Sequence, residues 1–149
     1  ATRSRIGYVL PDGNIKNSYC HWDGYVGGVG ITLLENFDTF EKVETLISFG
    51  DMSCLCPEIS TAEPHSFDKP AKGVTVFYGR DRGEQNVEPK VVTKDEWMSA
   101  MYSSGIDFYY LFTDGQWWVN YLQGSQGWEN LKSFFPQYPL TSKELTCNI

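Results

Sequence analysis

The run His21-Trp22-Asp23-Gly24-Tyr25-Val26-Gly27-Gly28-Val29-Gly30 gathers an imidazole, a carboxylate and two large aromatics among four glycines. Glycine lets the backbone take positive φ or approach another group closely. His21 and Asp23 are the residue types of an acid–base pair, because imidazole titrates near neutral pH. In extended backbone, residues two apart face the same side, so His21 and Asp23 point together and Trp22 points away. A structural reading competes: His21 bonding a loop carbonyl, and Asp23 capping the turn before Gly24. No nucleophile or metal partner is adjacent in sequence.

A second constellation is Gly79-Arg80-Asp81-Arg82-Gly83-Glu84. Two guanidinium forks on one side of a turn would clamp a phosphate or carboxylate. The alternative is a solvated turn in which Asp81 and Glu84 neutralise the arginines. Trp22, Tyr25, Tyr109 and Trp118 supply rings that would stack on a base or present a protein interface, unless they are core. Cys20 beside His21 suggests a thiol nucleophile, but neighbours on a strand face opposite sides. Cys54-Leu55-Cys56, with Cys20, His21 and His65, holds zinc-ligand types at a spacing too short for a zinc knuckle. The cysteines are therefore expected to be reduced thiols, with no metal and no other cofactor. The chain has no GxSxG, HExxH, phosphate-binding loop or dinucleotide fingerprint.

The elements that must position these residues follow from pattern. Ile6, Tyr8 and Leu10 alternate with smaller residues up to Asp12-Gly13, which predicts a hairpin over 5–21. A two-residue turn there would pair Leu10 with Ile15 and Ile6 with Tyr19; Pro11 leaves room for a three-residue turn. A short helical turn is expected at 31–36. Asp38 followed by Glu41 predicts a helix start that buries Phe40, Val43, Leu46 and Ile47 and ends at Gly50. Residues 51–73 lack periodicity and are expected to be a long ordered loop. Residues 74–78 read as a strand. Thr93-Lys94-Asp95-Glu96 is a capping box for a helix burying Trp97, Ala100 and Met101. Asp114-Gly115 predicts a hairpin over 106–122, pairing Phe112 with Trp117, Tyr110 with Val119 and Phe108 with Tyr121. Its other face, with Asp107, Tyr109, Thr113, Trp118 and Asn120, is mixed and is expected to be partly wet. Trp128, Leu131 and Phe135 predict a last short helix, and the tail from Thr141 a loosely held end. The sum is one α+β domain over 1–149, with an antiparallel sheet of two hairpins plus one strand and two to four short helices.

Composition bounds the function. The chain has 149 residues, 41% hydrophobic and 15% aromatic, which supports a folded core. Its formal charge of -7 argues against direct DNA binding. No apolar run is long enough to span a bilayer, and no apolar leader begins the chain, so neither a membrane nor a signal peptide is expected.

Arg5-Ile6-Gly7-Tyr8, Pro11-Asp12-Gly13, Tyr19-x-His21-Trp22-Asp23-Gly24-Tyr25, Val29-Gly30, Leu33-Leu34, Gly50-Asp51-Met52-Ser53 and Gly79-to-Glu84 form an ordered series. Over roughly residues 3–84 this series resembles a group of small proteins of tailed bacteriophages and prophages. The resemblance implies a cytoplasmic protein made in an infected host cell, and identifies no catalytic residue. By analogy with other such proteins, it points to an accessory protein that binds and neutralises a host protein or a small anionic, nucleotide-like ligand. His21, Trp22, Asp23, Tyr25, Arg80 and Arg82 would form its ligand-binding site, with the two segments adjacent. Arg80 and Arg82 would then matter for binding and little for stability. Two rivals remain: a small hydrolase or nucleotide-processing enzyme using His21 and Asp23, and an acidic mimic of nucleic acid.

Overall fold

The computed structural model describes residues 1–121, 127–141 and 144. Its centre is an eight-stranded mixed sheet. Strands β1 (Ser4–Val9) and β2 (Ile15–Cys20) form the first hairpin. Strands β3 (Met52–Cys54), β4 (Val76–Phe77) and β5 (Lys90–Val92) are short. Strands β6 (Phe108–Thr113) and β7 (Gln116–Tyr121) form the second hairpin, and β8 (Glu129–Asn130) lies beyond it. The order is β4-β3-β2-β1-β6-β7-β8, with β5 also paired to β2. Hairpin pairs are antiparallel, but β1 runs parallel to β6 and β2 parallel to β3. The expected all-antiparallel sheet is thus corrected. The hairpins meet through strands of the same direction, and the long segment between them makes the crossover that parallel pairing needs.

Turn chemistry sets each register. Asp114 and Gly115 both have positive φ, the requirement of a type I′ turn, and Phe112 lies opposite Trp117, Tyr110 opposite Val119 and Phe108 opposite Tyr121. In the first hairpin the Leu10 N–H donates to Asn14 O, leaving three residues, Pro11-Asp12-Gly13, in the turn. The register moves by one: Ile6 faces Ser18 rather than Tyr19, and Val9 rather than Leu10 faces Ile15. A one-residue slip sends alternate side chains to the other face. Tyr19 and Ile15 accordingly leave the face of Ile6 and Tyr8 for the opposite one.

Both faces are buried. On one, Ile6, Tyr8, Tyr110 and Val119 pack with residues of α1 (Ile31–Asn36) and α2 (Phe40–Ser48), among them Leu33, Val43, Leu46 and Ile47. Thr39, not Asp38, caps α2 by accepting from the Lys42 N–H, and Phe40 stays partly exposed. On the other face, Ile15, Tyr109 and Leu111 pack against Trp97 and Met101 of α4 (Lys94–Ser103), whose capping box Thr93/Glu96 is complete. Of the face expected to be partly wet, Asp107 is exposed and Thr113 half-buried at its ends, whereas Tyr109, Trp118 and Asn120 are buried, and the Trp97 and Tyr109 rings meet edge to face with centroids 5.0 Å apart. A single-turn helix α3 (Tyr78–Arg82) stands where a charged turn was expected, so the strand before it is only Val76–Phe77. Residues 51–73 are not wholly loop; they contain β3 and a bridge from Glu58 to Val74. The last helix is a 3-10 turn, Leu131–Phe134. Most of the expected loose tail, and Cys147, lie outside the described residues. No helix among the described residues is long and apolar enough to cross a membrane.

The glycine-rich connection is a π-helical turn, Val26–Gly30, leading directly into α1. Its glycines are there for packing. A Cβ on Gly24 would fall 2.8 Å from Thr2 O, and one on Gly28 would overlap the Asp23 carbonyl, whereas one on Gly27 would meet only the Tyr25 ring. Gly28→Ala should therefore destabilise the fold by about 1–3 kcal/mol, as overpacking does. Gly27→Ala should change stability by less than about 1 kcal/mol. Urea unfolding midpoints of the two variants compare these outcomes directly.

Candidate functional site

The site is built outward from the end of β2. Beyond Cys20 the chain continues alongside β3: His21 N–H donates to Met52 O (3.1 Å) and Trp22 N–H to Ser53 O (3.0 Å). Asp23 then turns the backbone at φ 56, a left-handed conformation that Asp tolerates better than most residues. Gly24 N–H donates to Thr2 O (2.8 Å), Val29 N–H to Asp23 O (2.8 Å), and the buried Tyr110 hydroxyl to Gly24 O (2.7 Å). The backbone carrying His21 to Tyr25 is therefore fixed from three directions.

The side chains on this frame point outward. Trp22 is 48% and Tyr25 47% exposed, and Asp23 is exposed. His21 Nδ1 lies 2.6 Å from the Tyr19 hydroxyl, and its ring meets Trp22 edge-on at 4.8 Å. Among the described residues no hydrogen bond or ion pair joins His21 to Asp23. Asp23's positive φ takes it out of the extended geometry in which i and i+2 share a face.

The two arginines diverge. In a helical turn, residues two apart are separated by about 200° around the axis. Arg80 turns inward, over the rings of Phe77 (4.8 Å) and Phe49 (5.3 Å). It donates from Nη1 to Ile59 O (2.6 Å), from Nη2 to Thr75 O (3.1 Å) and from Nε to Asp81 Oδ1 (2.8 Å). Arg82 stacks on Phe67 (4.3 Å) and Tyr78 (4.9 Å) and donates to Glu84 Oε2 (2.6 Å). The two forks do not converge on one side of a turn.

The segments containing His21 and Arg82 are neighbours through intermediaries. Tyr78 N–H donates to Asp51 O (3.1 Å), the next residue, Met52, accepts from His21 N–H, and Tyr78 carries the stacked Arg82. No hydrogen bond, ion pair or ring contact joins residues 21–25 directly to Arg80 or Arg82 among the described residues.

Sequence reasoning missed the hub beside them. The Asp81 side chain is only 6% exposed and accepts from Phe77 N–H (2.8 Å), from Arg80 and from His65 Nε2 (3.3 Å). The other ring nitrogen of His65 accepts from Ala71 N–H (2.9 Å). His65 is thus committed to bracing the 57–75 segment and is separate from the cysteines. Burial pushes the Asp81 carboxyl up, but Arg80, the Phe77 amide and His65 together outweigh it and hold it below the ordinary carboxylate value. An acid flanked by arginines was the available signal; its inward direction needed the helical turn.

Cys20, Cys54 and Cys56 carry free thiols, and among the described residues no group of ligating side chains is arranged to hold a metal. A groove of about 640 Å³ runs between Glu35, Phe37, Lys42, Phe49, Glu58 and Ile59 and is lined by none of the six sequence-predicted site residues. Comparison of the chain with protein-family models, curated proteins and solved structures finds no match in any of the three.

Arg80 is a structural residue by these contacts. Arg80→Ala should cost about 3–5 kcal/mol, because it strands a buried carboxylate and leaves two carbonyls without donors. This reverses the expectation of an unchanged melting temperature, and a thermal melt decides it. The sign of the pH effect follows from Asp81. Its folded value is depressed, so its stabilisation is present above the unfolded carboxyl value and is lost as pH falls below about 4. In acid-unfolding curves Asp81→Asn should be less stable at neutral pH and show a shallower decline over that acid limb.

Proposed function

We propose that this chain is a non-enzymatic binding protein of bacteriophage origin that docks a host protein through the surface carrying Trp22 and Tyr25. One observation supports this most: two large aromatic side chains are displayed about half-exposed on backbone pinned by buried hydrogen bonds. Aromatic residues dominate binding energy at protein interfaces, and a rigid frame lowers the ordering cost of contact. A small anion is less well served here, since Arg80 spends its donors internally and Arg82 is paired with Glu84. The hydrolytic alternative is weakened by the engagement of His21 with Tyr19 rather than Asp23.

The test places a photo-crosslinking amino acid at Tyr25, with a control at Tyr102 on α4, which is 77% exposed. Both are expressed in a bacterial host. A protein captured from Tyr25 but not Tyr102 is then purified and titrated with the intact chain. Trp22→Ala should weaken that binding by roughly ten- to a thousandfold, the loss of one aromatic anchor. Its melting temperature should stay within a few degrees, because the ring is half outside the core. Equal capture from both positions, or unchanged affinity of Trp22→Ala, removes this reading. Turnover of a nucleotide that His21→Ala abolishes would replace it with the hydrolytic one.

A further inference from the structure

We propose that Arg3, Arg5, Tyr19 and His21 form a binding site for a phosphate group, taken either as inorganic phosphate or as the monoester of a small molecule. The inference does not depend on the docking surface. It uses a different pair of arginines from Arg80 and Arg82.

Strand register brings the four residues together. Arg5 lies opposite Tyr19 in the first hairpin and opposite Tyr109 in the β1–β6 ladder. Cross-strand partners share a face, and Tyr109 is on the face that packs against α4. Arg3 and His21 each stand one residue beyond the Ser4–Cys20 pair and two residues from Arg5 and Tyr19, so they extend the same face by one row. Two contacts agree with that placement. The Tyr19 hydroxyl lies 2.6 Å from His21 Nδ1, and Arg3 Nη2 donates to Gly105 O (2.7 Å), in the connection from α4 to β6. Facing Cβ atoms across a pair of strands are about 5 Å apart, and successive rows about 7 Å. Long side chains from four such positions can reach one small anion. This end of the face is open. Trp97 and Met101 of α4 cover Ile15, Tyr109 and Leu111, whereas Arg3 is exposed and Arg5, Tyr19 and His21 are half-buried.

The two guanidiniums are positioned but not neutralised. Arg5 donates from Nη1 to Asn17 Oδ1 (2.8 Å), and Asn17, only 2% exposed, is itself fixed by donating to Lys90 O (3.2 Å). Arg3 is held by Gly105 O. Among the described residues neither arginine forms an ion pair, whereas Arg80 is paired with Asp81 and Arg82 with Glu84. The carboxylates that border the patch are turned to the main chain: Asp51 Oδ1 accepts the Tyr19 N–H (3.0 Å), and Asp107 Oδ2 the Arg3 N–H (2.9 Å).

The donor set favours phosphate over carboxylate. A guanidinium has five N–H donors in a planar fork, and the bonds above use one on each arginine. The donors left over, with the Tyr19 hydroxyl and the His21 ring, outnumber what the two oxygens of a carboxylate can use. A phosphate offers more oxygens and more charge to the same forks.

The chain has two histidines, which allows a test on the unmodified protein. His65 is engaged by Asp81 and the Ala71 N–H and serves as the internal control. Imidazole signals of the full chain are followed by NMR at constant pH 7 during titration with inorganic phosphate, with AMP, and with acetate and chloride at matched ionic strength. His21→Gln removes one signal and so assigns the pair. Phosphate and AMP should each move the His21 signal saturably and leave His65 in place. Equal affinity for the two would mean that the phosphate group alone is read; tighter AMP binding would identify a nucleoside monophosphate. Arg3→Gln should weaken phosphate binding roughly tenfold or more, the loss of one charge-assisted contact. Arg5→Gln should do the same; because Arg5 also braces Asn17, a thermal melt checks its folding, and Arg3→Gln, at an exposed residue, decides the matter if Arg5→Gln unfolds. A His21 shift that chloride or acetate reproduces, or unchanged phosphate affinity in Arg3→Gln, overturns the proposal.

Discussion

The parallel pairing of β1 with β6 is the constraint on which the rest of this molecule hangs. Each hairpin alone is a local structure; the Ser4–Phe108 to Tyr8–Phe112 ladder makes them one sheet. The same ladder brings the segment before β1 against both hairpins. Arg3 receives the Asp107 N–H at its carbonyl, returns its own N–H to the Asp107 carboxylate, and reaches Gly105 O with its guanidinium. Thr2, one residue earlier, then lies where its carbonyl takes the Gly24 N–H. Tyr110 on β6 faces the same connection and bonds the Gly24 carbonyl. The loop displaying Trp22 and Tyr25 is therefore positioned by a strand pairing that spans most of the chain.

That arrangement explains why glycine is concentrated there. A glycine-rich connection beside aromatic and ionisable residues looks like a ligand cradle. Here Gly24 and Gly28 are small because protein backbone already occupies the space a Cβ would need. Among the glycines of the π-turn, Gly27 meets only the neighbouring Tyr25 ring. Absence of a side chain serves packing inside the fold, while Trp22, Asp23 and Tyr25, which flank Gly24, face solvent. The composition is the same in both readings, and only the direction of approach separates them.

What was legible in the sequence was local. Asp114-Gly115 set its register because both residues accept positive φ and nothing else competed. The Thr93/Glu96 box was readable because its two hydrogen bonds are internal to four residues. Pro11 displaced the first hairpin by one residue, which moved Tyr19 to the other face. Non-local facts were not readable. Burial of Tyr109 and Trp118 depends on α4 crossing that face, and β3 exists because it joins β2 and β4 through few residues with no periodic pattern. The candidate site divides the same way. Exposure of Trp22 and Tyr25 followed from a loop's place on the surface. The inward turn of Arg80 did not, since a single helical turn with glycine at its second and closing positions has no helical signature in composition.

The hub around Asp81 and the frame around Gly24 solve one problem by different chemistry. Each must hold irregular backbone against the sheet without a hydrophobic stripe to do so. The 57–75 segment is fastened by charge: Arg80 takes the Ile59 and Thr75 carbonyls, and Asp81 takes Arg80, the Phe77 amide and His65. The 21–30 segment is fastened by neutral hydrogen bonds from backbone and one buried tyrosine. None of the donors in the neutral frame titrates in acid, so a fall in pH weakens only the first fastening directly. For recognition that difference matters. Ordering a flexible aromatic side chain at an interface costs about 0.5–1.5 kcal/mol, and ordering its backbone costs more. A loop whose backbone is already fixed carries only the first of those costs.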